Sequence, residues 1–129
     1  MRRAGLIAVA TATMLLLVAV PAASAAKFNT EVVLQGFEYP AKGSTIFYGT
    51  LNSSRRKCER NRKIDVFEDF KSPSPDPRVG TATSQSNGNW ALYTINPGLK
   101  AGYYYAKARR KRIGDDVCKG DRSPSLLNA

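Results

Sequence analysis

The chain has 129 residues, with 20 lysine or arginine against 10 aspartate or glutamate, two cysteines and no histidine. Without a histidine, Ser-His and Cys-His nucleophilic schemes within the chain are excluded, and it is read as no enzyme. Its length suits one small domain rather than several.

Residues 1–26 read as an export leader. Met1-Arg2-Arg3 is basic, Leu6 to Val20 is apolar, and Ala23-Ser24-Ala25 has the small residues of a cleavage site. The apolar run is too short and wrongly flanked for a membrane anchor. Cleavage near Ala25 or Ala26 leaves about 103 residues, 27–129, as a single secreted domain with no transmembrane anchor. Losing Arg2 and Arg3 lowers the formal charge from +10 to +8. Cys58 and Cys118 both stay, and two cysteines in an exported domain pair. There is no CxxC spacing to suggest a redox or metal pair.

Lys27 to Thr30 reads as a loose leader. Glu31 to Phe37 has the composition of an edge strand, shortened by Gly36, and Gly43 to Leu51 is a clearer strand with Phe47, Gly49 and Leu51 inward. Asn52 to Lys63 is a polar, basic loop that carries Cys58 and a glycosylation sequon at Asn52-Ser53-Ser54. Ile64 to Phe70 alternates, with Ile64, Val66 and Glu68 on one face and Asp65, Phe67 and Asp69 on the other. Acids on both faces place this strand near a sheet edge or its end. Three prolines make Ser72 to Pro77 a surface connection, because proline cannot donate to a strand ladder.

Val79 to Ser84 is a threonine-rich strand leading to a tight turn at Asn87-Gly88, where positive φ angles are needed. Trp90, Leu92 and Thr94 then face one way, and Ala91, Tyr93 and Ile95 the other. Asn96-Pro97-Gly98 marks a second reversal before the long strand Gly102 to Ala108. Its alanines assign Tyr104, Ala106 and Ala108 to the core and Tyr103, Tyr105, Lys107 and Arg109 to the outside. Arg109 to Arg112 has no apolar face, so the chain leaves the sandwich there as a ribbon or loop, with Asp115-Asp116 in the turn after it. Arg122 to Leu127 supplies a last edge strand. About seven short strands without helical periodicity predict an all-β protein: an antiparallel sandwich of the immunoglobulin-like or prealbumin-like kind.

Phe47 to Leu51, Cys58, Arg62 to Phe67, Val79 to Thr83, Asn87 to Trp90, Gly102 to Lys107 and Cys118 together form a pattern. From Thr45 to Ser123 it resembles the prealbumin-like or carboxypeptidase regulatory-like β-sandwich modules of exported bacterial proteins. The resemblance implies a seven-stranded sandwich with an accessory, adhesive or structural role, and no catalytic residue. The acid usual before the turn glycine is replaced by Ser84-Gln85-Ser86, so no calcium site is expected at that turn. No cofactor is expected.

The basic residues are the unusual feature. Arg55, Arg56, Lys57, Arg60, Arg62 and Lys63 flank Cys58, while Lys107, Arg109, Arg110, Lys111 and Arg112 precede Cys118. A Cys58–Cys118 bond would gather these eleven of the eighteen basic residues after the leader at one end, with Tyr105 as a stacking group beside them. That predicts a non-catalytic module binding an anionic cell-wall polymer, acidic glycan or anionic lipid surface, ahead of extracellular nucleic acid. In the alternative, a neutral glycan stacks on Trp90 or on outward tyrosines. The charges would otherwise be solvated residues that keep edge strands from pairing.

Overall fold

Side-chain alternation along six long strands builds two facing layers. The computed structural model describes residues 25–96 and 99–129; the expected leader, apart from Ala25 and Ala26, and Pro97-Gly98 of the second reversal lie outside them. Strands β2 (Thr30–Glu38), β3 (Ser44–Ser53) and β6 (Asn89–Ile95) form the front sheet in the order β2-β3-β6. The back sheet contains β4 (Lys63–Asp69), β5 (Arg78–Thr83) and β7 (Gly102–Ala108) in the order β7-β4-β5. The pairs within these two sheets are antiparallel. This is an all-β sandwich.

The inward faces of the two sheets meet in one core. Val32, Leu34, Phe47, Leu51 and Trp90 come from the front sheet, and Ile64, Val66, Ala82, Tyr104, Ala106 and Ala108 from the back. Phe37, Phe47 and Tyr104 pack ring to ring with centroids 5.3–5.9 Å apart. Edge and tilted contacts of this kind suit the ring quadrupoles. Burial pushes the Tyr104 phenol up to about 12, with Glu68 and Tyr39 adding to the shift. Its hydroxyl donates to the Lys100 carbonyl at 2.5 Å, so the polar end of this core residue is satisfied.

Gly49 lets the two layers close. A β-carbon there would overlap the Val33 carbonyl oxygen and sit 2.8 Å from the Trp90 ring. Backbone and indole are both fixed by packing, so Gly49→Ala is expected to cost about 2–3 kcal/mol. Thermal unfolding measures this, and an unchanged melting temperature would refute it.

Several local expectations change once strands find partners. Gly36 does not shorten β2: the register slips between Leu34 and Gly36, and pairing resumes as far as Glu38. A bare α-carbon at Gly36 makes room for the Tyr48 phenol, whose hydroxyl oxygen a β-carbon would meet at 2.5 Å. β4 is no edge strand, since it lies between β5 and β7. Its outward Asp65 is opposite Lys107 and paired with Arg109, so the acid is compensated across the sheet.

The last strand is split by Ser123-Pro124-Ser125 into β10 (Asp121–Arg122) and β11 (Leu126–Asn128), both antiparallel to β7. Pro124 cannot donate, and Ser123 fills the gap by accepting from the Ala106 N–H through Oγ and donating its own N–H to the Ala106 carbonyl, each at 2.8 Å. The Asn87-Gly88 turn is looser than a two-residue reversal. Gly88 alone has positive φ, at 84°, while the Asn87 side chain accepts from the Asn89 N–H at 3.0 Å. The Gly88 N–H returns to the Gln85 carbonyl and the Gln85 N–H to the Asn89 carbonyl. That is a three-residue loop with glycine at the left-handed position.

A third, smaller sheet closes one end. β8 (Lys111–Ile113) and β9 (Asp116–Cys118) form the expected ribbon, turning at Gly114-Asp115. Lys27–Phe28 is not a loose leader but strand β1, parallel to β9. Val117 donates to the Ala26 carbonyl and Lys119 to the Phe28 carbonyl, each at 2.9 Å.

Candidate functional site: the disulfide-bonded basic end

Cys58 ends a single 3-10 turn over Arg56–Cys58, and Cys118 ends β9; they are joined with a Cα–Cα separation of 5.5 Å. The bond draws the loop after β3 against the ribbon after β7, and β8 lies beside the 3-10 turn. The two basic runs therefore do meet at one end.

Their members have different roles. Arg62 is fully buried, a correction to its place in a surface cluster. Its Nε and Nη2 donate to the Arg109 carbonyl at 3.2 and 2.6 Å, and Nη2 also to the Lys119 carbonyl at 2.9 Å. Nη1 donates to the Cys58 carbonyl at 2.8 Å and to Thr30 Oγ1 at 3.0 Å. All five donors are used, without a carboxylate. Burial lowers its pKa, yet a guanidinium starts so high that it stays charged. Arg62 is the internal tie of this end.

Tyr105 is also corrected. It is 6 % exposed, stacked on Phe67 at 5.4 Å and covered by the Arg122 guanidinium 3.8 Å from its centroid. Its hydroxyl donates to Asp76 at 2.7 Å. Both faces of the ring are occupied, so it offers no platform for a ligand. Arg55 pairs with Asp116 and stands 5.1 Å from the Phe28 ring centroid. Arg109 makes a two-pronged bond to Asp65, Nε to Oδ2 at 2.7 Å and Nη2 to Oδ1 at 2.8 Å. Lys63 donates to Thr83 at 2.9 Å on the back sheet's outer face, where register also places Lys107 opposite Asp65.

Arg56, Lys57, Arg60, Arg110 and Arg112 remain exposed, and among the described residues none has an acidic partner. Lys111 donates to the Arg60 carbonyl at 3.1 Å. Burial first, then the Arg62 and Arg60 guanidinium groups, lower its pKa from the ordinary lysine value. The end is thus crowded with positive charge. A shallow groove of about 510 Å³ runs between Arg56, Arg60, Glu59, Ser86 and Asn87.

Asp65 is the acid that alternation alone could not interpret. The Arg109 hydrogen bonds hold its carboxyl below the ordinary aspartate value; burial opposes this, while Thr81 and Arg78 assist. A depressed carboxyl contributes stability that is present above its unfolded pKa of about 3.9 and lost as pH falls through the folded value. Asp65→Asn should therefore cost about 1 kcal/mol at pH 7, allowing for the half-exposed Arg109. Urea unfolding between pH 7 and pH 2 should show the two stability curves converging at the acid end; parallel curves would refute the assignment.

Trp90 is 2 % exposed and donates to the Thr50 carbonyl, so it is core, as is Tyr104. Tyr93 and Ile95 are exposed on the front sheet's outer side. Ser54 and Lys57 stand at Ser-x-x-Lys spacing, but both are exposed and no hydrogen bond joins them among the described residues. Glu68 is opposite the buried Tyr104 and Asp69 opposite Tyr103, on different faces, so they do not form a carboxylate pair. Ser84, whose local sequence carries no sign of this role, is 2 % exposed; its Oγ accepts from the Arg62 N–H at 2.9 Å and donates to the Glu59 carbonyl at 2.6 Å. No family model, curated protein or solved structure matches this chain at a significant level.

Proposed function

We propose that this chain is a non-catalytic secreted module whose disulfide-bonded end binds an extracellular polyanion: an anionic cell-wall polymer, an acidic glycan or an anionic lipid surface. The carrying observation is the group of exposed cations Arg56, Lys57, Arg60, Arg110 and Arg112, held together by Cys58–Cys118 and lacking acidic partners among the described residues. On top of burial, repulsion from the buried Arg62 and from Arg60 lowers the Lys111 pKa beside them. A bound polyanion relieves it and releases counterions. Secretion is supported by the basic-apolar-small pattern of residues 1–26 and by a disulfide of the kind that persists in oxidising compartments. Among the described residues no helix is long and apolar enough to cross a membrane.

The test is binding to teichoic acid, heparin, DNA, anionic vesicles and a neutral polysaccharide at low and high salt. Affinity for one anionic polymer should fall steeply with salt. In Arg110→Ser/Arg112→Ser the log–log salt slope should flatten by about one for each removed contact. Lys42→Ser, outside the basic end, should behave as the parent. Binding only to the neutral polymer, insensitive to salt, would replace this reading with a carbohydrate-binding module; no binding at all would overturn it.

A further inference from the structure

We propose that the leader is removed at the Ala25–Ala26 bond and that the new α-ammonium of Ala26 docks on Asp116, locking the end sheet. The inference rests on the secretion reading above. The small-residue run permits cleavage after Ala25, with Ala23 and Ala25 at the recognition positions, or one residue later. The backbone distinguishes these registers. Ala26 is the first described residue bound to the fold: its carbonyl accepts from Val117 at 2.9 Å, and its nitrogen stands 3.2 Å from Asp116 Oδ1. Lys27 and Phe28 continue opposite Val117 and Cys118. Ala25 is exposed and borders a groove of about 410 Å³ with Arg55, Lys57, Ile113, Gly114, Asp115 and Asp116. Among the described residues, cleavage after Ala25 therefore removes no hydrogen bond from the end sheet. Cleavage after Ala26 would delete both of the Ala26 bonds and leave the Val117 N–H without its acceptor.

Hydrolysis adds one water across the peptide bond. Ala25 leaves with a carboxylate, and Ala26 keeps an amine that takes up a proton at neutral pH. The single N–H that meets Asp116 becomes a cationic group with three donors. Asp116 can serve both partners, because Oδ2 receives Arg55 while Oδ1 faces Ala26. The other charged groups around the groove are Lys57, which opposes the ammonium, and Asp115, which favours it. The carboxylate outweighs Lys57 because it is in hydrogen-bond contact.

The chain of residues 1–129 is expressed in an exporting bacterial host, and the secreted protein is weighed intact. The expected terminus is Ala26; a terminus at Lys27 overturns the docking, and an uncleaved chain overturns the secretion reading with it. The Ala26 amine is then acetylated at pH 7 with an N-hydroxysuccinimide ester and followed by peptide mass mapping. Pairing that raises the amine pKa by about one unit slows labelling about tenfold, so Asp116→Asn should label about tenfold faster than the parent. Arg55→Gln, which leaves the carboxylate to the ammonium alone, should stay as slow as the parent. Correct cleavage with equal labelling of parent and Asp116→Asn overturns the docking alone. Arg55→Gln labelling as fast as Asp116→Asn also overturns it, because sheet integrity rather than the carboxylate would be shielding the amine.

Discussion

Arg62→Met should lower the unfolding free energy of the oxidised protein by about 3–5 kcal/mol, a large part of what a domain of this size has. Methionine fills much of the space but carries no donor. The carbonyl groups of Cys58, Arg109 and Lys119, and Thr30 Oγ1, would lose the guanidinium that now reaches all of them. Each buried acceptor left without a partner costs about 1–3 kcal/mol. Arg62→Lys retains a charge but replaces the planar fork with a point donor, and about 2–4 kcal/mol should still be lost. Urea unfolding of the three proteins measures both losses. The same variants separate structure from binding. Arg62→Met should keep its anion affinity under folding conditions, whereas a variant of unchanged stability with lost binding would mean that the guanidinium faces solvent.

Removing the Cys58–Cys118 bond by Cys58→Ser/Cys118→Ser is the second large effect, expected to cost about 4 kcal/mol. The bond spans a sequence separation of 60, and constraining a loop of that length removes about this much chain entropy from the unfolded state. The loss should not add to that of Arg62→Met. Arg62 holds the Cys58 carbonyl and that of Lys119, the neighbour of Cys118, so disulfide and guanidinium restrain the same two segments. In a double-mutant cycle the combined loss should fall short of the sum by about 1–2 kcal/mol, and strict additivity would contradict this shared role. Without the bond, the Arg55–Lys63 loop and the ribbon are no longer covalently held together. The salt slope for polyanion binding should then fall together with stability.

The strand faces were legible because alternation is a local property. Phe47, Gly49 and Leu51, Trp90, and Tyr104, Ala106 and Ala108 are all buried where a period of two places them. Two cysteines behind a leader-like N-terminal pattern were enough to expect their bond. The position of β4 was misread because its acids looked exposed to an edge, although Arg109, distant in sequence, pairs with Asp65. Lys27-Phe28 looked loose for the same reason: its partner strand begins at Asp116. The Ser123-Pro124-Ser125 break was visible in the proline, but its repair by Ser123 depends on where Ala106 lies.

The candidate site divides in the same way. Composition and spacing located two basic runs beside two cysteines, and Arg56, Lys57, Arg60, Arg110 and Arg112 in those runs are exposed. Nothing local distinguishes them from Arg62 in the same loop. Only folding sets the Arg62 guanidinium among carbonyl groups from three separate segments, where five hydrogen bonds make a buried cation tolerable. Likewise, only folding covers Tyr105 with Phe67 and Arg122. The sequence by itself determined the inward faces of β3 and β7, that the protein is all-β, and where positive charge is concentrated. Tertiary structure decided which charges are consumed inside the protein and which remain outside. Alternation follows from the geometry of neighbouring residues, whereas a charge's partner depends on groups brought close only by the completed fold.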